Sequence, residues 1–172
     1  MKKFCLPVIL ILLLVSSKMF AQGMMPPPPI KSALLESMMG TWVSQPYEMM
    51  GEKMTDEVTQ SMIMNGQFLQ VNVKSTGSSG FTYESLVIIA PSEDGTFTGW
   101  SFDIFGKKAI STYTGTYKDN QMFITGNSSW GSEIRNITME GNVMLANVSF
   151  KMKDESGKEM PEMTMAITYN KK

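Results

Sequence analysis

The chain has 172 residues, 42% of them hydrophobic and 18% charged, which is the composition of a single globular domain and not of a disordered segment. It contains no histidine and one cysteine, so serine–histidine triads, His-ligated metals, His-ligated haem and a histidine pH switch are excluded by composition. The side chains left to carry chemistry are Asp, Glu, Lys, Tyr, Ser and Thr, and a non-catalytic protein without a cofactor is expected.

Residues 1–21 have the plan of a secretory signal peptide: Lys2 and Lys3, an apolar run from Phe4 to Val15, and a small residue, Ala21, at the expected cut. The apolar run is about a dozen residues, short of the roughly 20 that span a bilayer, so an exported protein with no membrane span is expected, periplasmic or extracellular. Cys5 lies at the start of the apolar run and leaves with it, so lipid anchoring is not expected. The mature chain would then hold 151 residues and no cysteine, with 12 basic against 16 acidic residues. A net charge of −4, with Arg135 as the sole arginine, argues against a nucleic-acid partner.

Residues 22–30 include Pro26 to Pro29 and are expected to form a stiff polyproline leader. The domain proper is residues 31–172. Lys31 to Met39 carry Leu34, Leu35, Met38 and Met39 at helical spacing, so a short helix ending at Gly40 is expected. From Thr41 onward, runs rich in Val, Ile, Thr, Tyr and Phe alternate with turn residues at intervals of about ten. Asn65-Gly66 marks a two-residue hairpin, Gly141-Asn142 is a further turn candidate, and Pro91 to Gly95, Lys118 to Asn120 and Asp154 to Gly157 mark longer connections. Strict alternation, as in Met144, Ala146, Val148, Phe150 and Met152, gives strands one buried face and one wet face.

About ten such strands without a second long helical pattern imply an all-β antiparallel meander. Closure into an up-and-down barrel removes the exposed edges that an open sheet would leave, with a two-sheet β-sandwich as the alternative. Acidic neighbours such as Asp56-Glu57, Glu93-Asp94 and Asp154-Glu155 point to opposite faces when on a strand and cannot share a site, and are expected to be solvated.

A short helix running into Gly40-Thr41-Trp42 resembles the opening of lipocalin-like, or calycin, barrels. The resemblance implies that Trp42 closes one end of the barrel beneath a basic residue of the last strand, here Lys171 in place of the usual arginine. Met39 to Trp42, Asn65 to Leu69, Trp100 to Gly106, Gly115-Thr116-Tyr117, and Gly157 to Met160 leading to Thr168-Tyr169 are also similar to a bacterial family of secreted proteins of unknown function. That family implies the same barrel and brings no activity.

Trp100 and Phe102 share a strand face, and Tyr83 and Tyr113 fall on strands expected beside it. These four are the candidate contacts for a small apolar or amphipathic ligand at the barrel mouth. Methionine is over-represented, 18 in all, and Met160, Met163 and Met165 form a run of the kind that can hold Cu(I) through thioethers. The competing reading is that methionines fill an irregular core. A monomeric carrier is the first expectation. The second is an envelope or secreted interaction module contacting proteins through the loops Thr76 to Gly80 and Asp154 to Met160.

Overall fold

The structure, a computed structural model, describes residues 26–172 apart from residue 155. The expected signal peptide lies outside the described residues. One helix, α1 (Ala33–Met38), precedes eleven strands: β1 (Gly40–Ser44), β2 (Tyr47–Met49), β3 (Glu52–Ile63), β4 (Phe68–Gly77), β5 (Thr82–Pro91), β6 (Thr96–Asp103), β7 (Ser111–Lys118), β8 (Gln121–Ser128), β9 (Gly131–Glu140), β10 (Val143–Met152) and β11 (Met163–Lys171). From β2 to β11 each strand pairs antiparallel with the next, and β1 closes the sheet by pairing with both β11 and β3. The result is a closed ten-stave barrel. β1 and β2 together form one stave along β3, interrupted at Gln45-Pro46, where proline has no N–H for the ladder.

α1 is shorter than the periodicity suggests. Ser32 caps it by accepting the Leu35 N–H at 3.4 Å, and Met39 is already extended. Gly40 takes φ +113°, a left-handed conformation that turns the chain from helix into strand and that residues with a Cβ rarely adopt. The four hairpins β3–β4, β5–β6, β7–β8 and β9–β10 lie at the end covered by α1. The other connections surround the opposite end, the mouth.

At the covered end Leu34, Leu35 and Met38 of α1 are buried with Trp42, whose Nε1 donates to the Met38 carbonyl at 2.8 Å. Above them, cross-strand rows build the core: Ile167, Ala146, Ile137, Met122 and Tyr117 face inward at one level across β11, β10, β9, β8 and β7. The polyproline segment does not stand away from the domain. Gln67 Nε2 donates to the Pro28 and Pro27 carbonyls at 2.7 and 3.2 Å, and Ile30 N–H donates to Gly66 O at 3.1 Å, laying residues 27–30 along the β3–β4 turn.

Candidate ligand-binding site

The interior changes character along the barrel axis. In the half beneath the mouth many inward side chains stay half-buried, among them Val71, Val73, Tyr83, Val87, Tyr113, Phe150, Met163 and Met165. Polar groups enter the same half. Tyr47 and Tyr169 hydroxyls donate to the two oxygens of Asp56 at 2.9 and 2.8 Å, while Asp56 N–H donates to Ser44 Oγ at 2.7 Å. Tyr83 donates to Asp103 at 3.0 Å, and Tyr113 to Ser101 Oγ at 3.2 Å. Burial, reinforced by the Asp56 charge, pushes the Tyr47 and Tyr169 hydroxyls well above the ordinary phenol range, and burial with Asp103 does the same for Tyr83. At neutral pH these groups are hydrogen-bond donors and not bases.

Arg135 is placed inward by β9, in a row with Val148, Met165 and Ile124. Its Nη2 donates to Glu133 at 3.3 Å, and the Glu133 charge holds the guanidinium ionised against the cost of desolvation. Nε is buried without a partner, yet 34% of the side chain is still accessible. An arginine carries five N–H donors, so this one presents unused donors to the interior. Gln60 Oε1 and Glu52 Oε2 are likewise buried without partners. Glycines make room for the inward aromatic rings: a Cβ at Gly115 would stand 2.5 Å from the Phe97 ring, and one at Gly126 would stand 2.6 Å from the Tyr113 ring.

Of the four aromatic candidates, Tyr83 and Tyr113 face inward, whereas Trp100 and Phe102 lie on the outer face, 40% and 44% exposed. The four therefore do not line one cup. β6 does lie between β5 and β7, but its inward positions belong to Gly99 and Ser101, and strand alternation sends Trp100 and Phe102 outward. Phe102 borders a shallow outer groove of about 450 Å³ together with Leu86 and Ile104. The expectation of a solvated Asp56 is also corrected, since it is 4% exposed while Glu57 points out. Its signal was its register with Met54 and Val58, and Arg135 shares register with Ile137 and Met139 in the same way.

At the covered end Lys171 Nζ stands 5.2 Å from the centroid of the Trp42 ring and donates to Ser37 O at 3.3 Å. A Cβ on Gly40 would meet Lys171 Cε at 3.2 Å. Met163 and Met165 project inward from β11, whereas Met160 sits on the exposed loop before it, 40% exposed. Among the described residues no three His, Cys, Asp or Glu side chains gather as a metal site, and no helix is long and apolar enough to cross a membrane.

No protein-family model matches this chain, and no curated protein matches it. Among solved structures it is similar to the crystal structure of Rv2717c from M. tuberculosis, with a TM-score of 0.67 at 12% identity, over 83% of this chain and 99% of that one. At that identity the likeness establishes a shared barrel fold and nothing finer.

Proposed function

We propose that this is an exported, non-catalytic carrier that takes a small apolar or amphipathic molecule into the mouth half of its barrel. The observation that carries the reading is the contrast between the two halves of the interior. The covered half is fully packed by Leu35, Trp42, Leu69 and Met122, each under 2% exposed. The mouth half is lined by half-buried apolar side chains around Arg135, whose donors are mostly unused. An apolar wall with a few convergent polar groups is the usual make-up of a small-molecule site.

In this reading Val71, Val73, Val87, Phe150 and Met163 cover the apolar body of the ligand, and Arg135 with Tyr113 orients its polar end. Native mass spectrometry of the protein taken gently from its host envelope, before and after denaturation, tests it. A non-covalent adduct of a few hundred daltons is expected. A bare polypeptide mass, together with no uptake of apolar fluorescent probes, would overturn the reading.

A further inference from the structure

Exposed apolar side chains are distributed unevenly between the two ends of the barrel. At the covered end the turns carry Asn65-Gly66, Glu93-Asp94, Asp119-Asn120 and Gly141-Asn142, and Met64 is their one exposed large apolar residue. At the mouth, three neighbouring connections present Phe81 (β4–β5), Ile104, Phe105 and Ile110 (β6–β7) and Trp130 (β8–β9), exposed by 41–59%.

These connections form one lobe. The Phe105 ring lies 6.2 Å from that of Tyr83, at the start of β5, and Ile104 N–H donates to Glu84 O at 3.2 Å. Ser129 Oγ donates to Lys108 O at 2.5 Å, tying the β8–β9 turn to the short 3-10 turn Gly106–Ala109. That turn carries exposed Lys107 and Lys108, and the chain has no acidic residue from Ile104 to Lys118. The carboxylates of β5 and β6 that flank this turn are engaged: Asp103 accepts from Tyr83 and from Phe105 N–H, and Glu84 pairs with Lys74 at 3.5 Å.

We infer that this lobe is a docking surface for a bilayer containing anionic lipid, with Phe105 and its apolar neighbours entering the headgroup boundary and Lys107 and Lys108 meeting lipid phosphates. Charge complementarity selects this occupant, because apolar tips beside unpaired lysines match an anionic interface, where each lysine adds about 1 kcal/mol of attraction. Five exposed large apolar side chains gathered on neighbouring connections at one end of a small barrel call for a cover, and here the cover would face the mouth. The inference goes beyond the carrier reading and stands if the barrel proves empty.

The test is flotation of the purified exported form with vesicles of equal phosphatidylglycerol and phosphatidylcholine, and with phosphatidylcholine alone. Emission of Trp130 is followed in a Trp100→Phe background, in which Trp42 is buried and constant. Binding to the anionic vesicles with a blue shift of Trp130 is expected, weakened at least about tenfold by Lys107→Glu with Lys108→Glu and by Phe105→Ser. Circular dichroism verifies that each variant is folded. No binding to anionic vesicles, or binding indifferent to both variants, would overturn it. So would light scattering that shows a dimer dissolved by Phe105→Ser, which would assign the lobe to a second copy of the chain.

Discussion

Lys171 and Trp42 meet across the covered end of the barrel, the ammonium 5.2 Å from the ring centroid, and so join the end of the last strand to the start of the first. Because the ammonium side is exposed, Lys171→Ala is expected to cost only about 0.5–1 kcal/mol, and Lys171→Arg to retain the contact. Trp42→Ala opens a large void in a packed core and should cost about 3–5 kcal/mol. Urea denaturation of the three variants measures both differences.

Asp56 accepts from two phenols, that of half-buried Tyr47 on β2 and that of buried Tyr169 on β11, so its removal strands both hydroxyls. Asp56→Ala is expected to cost about 1–3 kcal/mol for each orphaned donor, whereas Tyr169→Phe leaves Tyr47 in place and should cost about 1.5 kcal/mol. If Asp56→Ala proved no worse than Tyr169→Phe in chemical denaturation, the two-tyrosine arrangement would not be what stabilises the carboxylate.

All five tyrosines of the chain ionise above the ordinary phenol value of 10.0, foremost because burial disfavours the phenolate, with Asp56, Asp103, Glu133 and Asp94 adding to it at particular sites. The native state therefore keeps protons that the unfolded chain releases as pH passes 10, and stability falls with rising pH there. This contribution is complete below pH 10 and is lost as pH rises toward the folded-state values. Ultraviolet titration is expected to show no phenolate forming at the ordinary value. It should appear instead in one cooperative step that coincides with alkaline loss of the β-sheet circular dichroism signal.

Arg135→Met should abolish ligand capture and, by leaving Glu133 unpaired in the interior, cost about 1–3 kcal/mol. Arg135→Met with Glu133→Gln removes the stranded charge, so stability should return while capture does not. Thermal denaturation and native mass spectrometry of the two variants separate the ligand role of Arg135 from its role in the ion pair.

Sequence reading reached far along the strands. Alternation in Met144 to Met152 and Met163 to Tyr169 sets the inward face of β10 and β11, since a period of two is a local property of extended backbone. The place of the β3–β4 turn at Asn65-Gly66, with φ of +57° and +70°, is legible for the same reason, although the connection is four residues, 64–67, and not the two-residue hairpin that the dipeptide suggests. It stops at polar residues in inward register. Asp56 reads as a surface acid and Arg135 as an isolated base, because residue type alone favours the surface.

The chain by itself therefore determined about ten antiparallel strands and a short helix ahead of them, which follow from local periodicity and turn chemistry. Only the closed barrel decided that Trp100 and Phe102 face out, that Tyr47, Tyr169 and Asp56 converge, and that Arg135 looks into the mouth half. Those facts depend on inter-strand register and on partners up to 113 residues apart, as for Tyr169 and Asp56, and no local pattern encodes them.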